Sequence, residues 1–163
     1  MQQIVRLCGA VVVALLVTAG GAAGQRMSSI EVGVVAPGHG SVLQVGYRFS
    51  SADRNALGID VSVATLPEAL VDRIALIGAD LDAAFLLSPT SGLGLIARAG
   101  PSMIAGVGAG GGAAVFGYNL GAGVLIRTGS HGALRMDYTY RRFSLDGDRI
   151  SLPSLTIGFG WLH

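Results

Sequence analysis

Nine charged side chains sit in otherwise apolar, alternating stretches: Glu31, Arg48, Asp60, Asp80, Asp82, Arg98, Arg135, Asp137 and Arg141. Carboxylates and guanidiniums placed this way could relay protons, pass ions, or neutralise one another inside a closed structure. Five acids face four bases, so the set nearly cancels. Every basic residue in the chain is arginine, and its planar fork satisfies several carboxylate oxygens at once. An interior salt-bridge network is therefore the expected role, rather than a conducting path.

Other chemistry is harder to assemble. His39 lies in a Gly-Pro stretch, His131 in a turn and His163 at the last position, with no pair at helical metal-ligand spacing. No metal centre and no cofactor are expected. His39 with Ser41, or His131 with Ser130, could supply a nucleophile and base, so a lipid-modifying enzyme is an alternative reading. No enzyme motif surrounds either pair, and the chain is not expected to be an enzyme. Gly106 to Gly111 matches GxGxxG, which needs a strand before and a helix after. Ala113 to Arg127 alternates like a strand instead, so the run reads as a hairpin loop. The single cysteine, Cys8, leaves the rest of the chain without disulfides or thiolate ligands.

The elements that must carry the charges follow from a period of 2. Breakers rich in Gly, Pro, Asn, Asp and Ser separate eight such segments: about 29–36, 41–50, 56–66, 73–87, 93–105, 113–127, 131–144 and 152–163. One parity is apolar, as in Ile30, Val32, Val34 and again in Leu155, Ile157, Phe159, Trp161. The other carries glycines and the nine charges. A hydrated face needs neither small residues nor balanced charge; a narrow interior needs both. Nine of the ten aromatics fall on the apolar parity, Phe143 being the exception. If both chain ends face one side, Tyr47, Phe49, Phe85, Phe159 and Trp161 form one girdle, and Phe116, Tyr118, Tyr138 and Tyr140 the other. Two places disturb the pattern. Phase slips near Leu76 and Ile77, where a bulge or changed register is expected, and residues 73–87 also read as a helix. Pro101 inside the fifth segment predicts a bulge or strand end, since it cannot donate to a ladder.

Residues 1–24 have a basic start, an apolar run from Leu7 to Val17 and small residues at the end, the pattern of a cleaved secretory signal peptide. The domain is then 25–163. Net charge is +1, which leaves no concentrated positive patch for nucleic acid. No other segment is long enough for a membrane helix, so a membrane form would be a barrel. A secreted soluble β-barrel or sandwich binding a small apolar ligand is the other alternative.

The last strand, with Thr156, Gly158 and Trp161 in alternation, and the segment ALRMDYTYRRF resemble the small OmpA/OmpX-type outer-membrane β-barrel family. His163 stands where that family has Phe or Trp. The resemblance implies an all-β fold, an eight-stranded antiparallel up-and-down transmembrane β-barrel. It further implies location in the bacterial outer membrane, contact with outer-membrane lipid, and insertion by the barrel-assembly machinery, which would read Thr156, Gly158, Trp161 and His163. A monomer with a mainly structural or envelope-integrity role is expected, its interior plugged by the Arg/Asp network.

Overall fold

The computed structural model describes residues 26–36, 40–51, 55–66, 75–88, 90–108, 111–145 and 147–163. The expected signal peptide and His39 lie outside them. Eight strands follow one another: β1 (Arg26–Val35), β2 (Val42–Ser51), β3 (Ala56–Leu66), β4 (Ala75–Leu87), β5 (Leu93–Gly108), β6 (Gly111–Arg127), β7 (Gly132–Leu145) and β8 (Asp148–Leu162). Each pairs antiparallel with its sequence neighbours, and β8 pairs with β1 to close the barrel. Closure removes the open edges that a meander of this length would otherwise present.

The register sets the tilt. Stepping across the ladders from Ser29 leads through Arg48, Ser62, Asp80, Ser102, Gly117 and Phe143 to Ile150. Ile150 lies well past Ser154, the partner of Val35, so the path rejoins β1 about ten residues above its start. A stagger of that size over eight strands tilts them by about 40° and leaves a lumen that side chains can fill.

The segment 75–87 is a strand, and neither of its ladders bulges at Leu76 or Ile77. Ile77 stays on the outward parity while Leu76 turns inward, because the lumen at that level is apolar. The phase slip was a change in interior chemistry rather than in register. Pro101 causes no bulge either. The β4–β5 register is the same on both sides of it, and only the pairs at Leu81 and Asp82 drop out. Pro101 still pairs with Tyr118 on β6, so its missing donor falls on the β4 side. The glycine run is mostly strand as well: β5 continues to Gly108 and β6 begins at Gly111. A strand followed directly by another strand cannot make a dinucleotide fold.

Polarity is inverted relative to a water-soluble protein. Outward residues such as Ile157 (53 % exposed), Leu120 and Leu57 form a continuous apolar belt, whereas Arg48, Arg135 and Asp137 are each 1 % exposed inside. Tyr47 and Tyr138 lie midway along β2 and β7, so the girdles are tighter than expected. Phe49, Phe85, Phe159 and Trp161 mark the rim at Arg26 and Leu162 (the lower rim), with Phe159 and Trp161 edge to face at 5.8 Å. Phe116, Tyr118 and Tyr140 mark the upper one.

The candidate functional site is a sealed interior charge network

All nine charges point into the lumen, and each is buried. Alternation puts them there, since successive strand residues face opposite sides. Seven form one chain running round the inner wall. Arg48 Nε donates to Glu31 at 2.7 Å and Nη1 to Asp60 at 2.6 Å. Arg135 reaches the other Asp60 oxygen at 2.8 Å and Asp137 at 2.5 Å. Arg98 completes the chain, donating to Asp137 and to Thr139 Oγ1. Its Nε lies 3.6 Å from Asp82 Oδ2, and neither atom has a hydrogen-bond partner among the described residues. Asp82 is the loose end, held at 2.7 Å by Asn119 Nδ2.

Arg141 and Asp80 form a separate pair nearer the upper rim. Arg141 Nη2 donates to Asp80 at 2.6 Å, Ser62 and Ser102 donate to the same carboxylate, and Arg141 Nη1 donates to Ser154. Asp80 is thereby satisfied by three partners, as a buried carboxylate must be. Ser50, Ser62, Ser102, Asn119, Thr139 and Ser154 were not singled out from sequence. Their signal is weak, because a small polar residue on the inward parity looks the same whether or not it bridges a charge.

Inward glycines make room for the ions. A Cβ on Gly121 would lie 2.7 Å from Arg98 Nε, and one on Gly158 would lie 2.8 Å from Glu31 Cγ. A Cβ on Gly123 would collide with the Asp137 carboxylate. Glycine on one strand is thus the counterpart of a charged side chain on the next.

Two apolar layers cover the network. Met27, Leu86, Ile96, Leu125, Ala133 and Leu162 pack together across the lower lumen. Val35, Phe143 and Leu152, with Leu66, Ile104 and Val115, close the upper lumen. The residual spaces beside these layers are about 30 and 20 Å³. Each holds no more than a water molecule or two, too little for an aqueous channel. These layers were not anticipated, because their residues share a parity with the charges.

The other candidates separate. Ser130 Oγ and His131 Nδ1 are 2.7 Å apart in the exposed turn between β6 and β7, and no carboxylate among the described residues bonds to that ring. Among the described residues no cluster of His, Cys, Asp and Glu could hold a metal ion. Thr156 and Gly158 are buried on the inner face of β8, Trp161 faces outward, and His163 donates its backbone N–H to Arg26.

No protein-family model matches the chain, and no curated protein matches it in sequence. Solved structures do match in fold. The Ail protein of Yersinia pestis superposes with TM-score 0.58 at 15% identity, covering 86% of this chain and 99% of Ail. OprG of Pseudomonas aeruginosa gives 0.60 at 13%, covering 86% and 96%. A de novo designed transmembrane β-barrel gives 0.60 at 17%, also covering 86% and 96%. Such identities speak to fold alone, and the designed barrel underlines that this fold carries no particular activity. The chain has the eight-stranded closed-barrel fold of the small outer-membrane proteins.

Proposed function

We propose that the chain is an integral protein of the bacterial outer membrane with a structural, envelope-integrity role, its lumen plugged by the Arg/Asp network. The inverted polarity carries this reading. An exterior of Ile, Leu, Val and aromatic side chains in water would be a very large exposed apolar surface, while a bilayer makes it favourable. A soluble binder needs the opposite arrangement, an apolar cavity and a hydrated outside. Residues 1–24 act as a signal peptide removed on export. The monomer inserts through the barrel-assembly machinery, with Thr156, Gly158, Trp161 and His163 as the part of β8 that is read. Ail is named for attachment and invasion; here the upper connections are short, at 36–41, 67–74, 109–110 and 146–147, which favours a structural role.

Fractionation of the expressed chain, followed by detergent gels of heated and unheated samples, tests the reading. An outer-membrane band whose mobility shifts on heating supports it; a soluble periplasmic product overturns it. For the envelope role, cells lacking the protein should become more sensitive to bile salts, and unchanged sensitivity would leave that role without support.

A further inference from the structure

The outward faces of β7 and β8 change character abruptly at the upper rim. Along β7 the outward series is Leu134, Met136, Tyr138, Tyr140 and then Arg142; along β8 it is Trp161, Phe159, Ile157, Leu155, Pro153, Ser151 and then Arg149. Arg142 pairs across the ladder with Ser151 and with Tyr118, and Arg149 pairs with Ser144. The two arginines are thus diagonal neighbours on one exterior face, about 7–8 Å apart or less. Among the described residues neither has an ion pair. Asp148, next to Arg149 in sequence, falls on the other parity of β8.

The arginines line a surface hollow of about 450 Å³ with Phe116, Tyr118 and Ser144. Phe116 is 71 % exposed, and Ser151, the ladder partner of Arg142, joins its hydroxyl to that of Tyr140 at 2.9 Å. A hollow of that size suits a ligand headgroup, and it opens directly above the apolar belt. Planar guanidiniums are matched to phosphate oxygens, and exterior aromatics at this level suit the boundary between acyl chain and headgroup.

We infer that Arg142 and Arg149, with Phe116 and Tyr118 beside them, form an exterior binding site for the phosphorylated headgroup of a lipid in the upper leaflet. The site rests on the membrane-barrel reading and adds a ligand class and an address to it. A lipid is the occupant, rather than a soluble phosphate, because the hollow is continuous with the face that the acyl chains cover. Contact with the network is excluded, since both arginines lie on the opposite side of the wall from Arg141.

Native mass spectrometry of the full mature chain, released from mixed micelles of phosphatidylcholine and phosphatidic acid, tests the site. The wild type should retain phosphatidic acid about fivefold over phosphatidylcholine, and R142Q/R149Q should bring the two to parity. R142K/R149K keeps the charge and loses the fork, so it should retain a reduced preference. Equal retention of both lipids by the wild type, or an unchanged preference in R142Q/R149Q, overturns the site. Displacement of the bound lipid by millimolar inorganic phosphate overturns the choice of a lipid. The heat-shifted gel band is read alongside: its absence in the wild type overturns the barrel itself, whereas its presence without lipid preference overturns only the site.

Discussion

Asp60 accepts from Arg48 on one oxygen and from Arg135 on the other, which makes it a bridge between two guanidiniums in the seven-membered chain. Removing it leaves two guanidiniums buried and short of a partner. Asp60→Ala should lower the unfolding free energy in lipid vesicles by about 3–5 kcal/mol, followed by Trp161 fluorescence against urea. Asp82 predicts the contrary case. Its ion pair is long, at 3.6 Å, and its second oxygen is unbonded, so Asp82→Asn should cost about 1 kcal/mol or less. If the two cost the same, the ranking by geometry fails. Gly123→Ala places a methyl group against the Asp137 carboxylate and should cost about 1–3 kcal/mol by the same measurement, although alanine is an ordinary strand residue.

At the scale of elements, parity made much of this legible and hid the rest. That Asp137 and Arg135 face inward follows from their two-residue spacing within an alternating strand, so the side of the sheet was readable. Which arginine meets which acid was not, because Arg98 on β5 and Asp137 on β7 meet only through the tilt and closure of the sheet. Leu76 misled the reading for a related reason. An inward leucine looks like an error of phase until the lumen is known to end in apolar layers. The upper layer has a test of its own. Phe143→Ala should cost about 3–5 kcal/mol and should make stability depend on salt, because ions then reach Arg141 and Asp80. A variant that loses stability yet stays indifferent to salt would mean that Phe143 fills space without sealing the network.

The described residues form a cylinder whose nine inward charges lie in a central disc, with apolar layers above and below and an apolar belt outside. Solvent ions have no route to the disc, so the unfolding free energy of the wild type should change by less than about 1 kcal/mol between 0.05 and 0.5 M sodium chloride. Planar bilayers containing the protein should show no steady single-channel conductance, since eight strands leave a lumen that side chains fill. Discrete, long-lived openings would contradict the sealed interior.

Sequence by itself determined the eight strands, the two faces of each, and the identity of the inward charges, because period 2 is a local property of the backbone. It also set Gly147, at a φ of 91°, and Asn55, at 55°, as turn residues, since few other side chains adopt that left-handed backbone. Only the tertiary structure decided the partners within the network, the two sealing layers, and the meeting of Arg142 with Arg149 outside. Those depend on a stagger of about ten residues round the ring, which is fixed when β8 finds β1 and by no single strand alone.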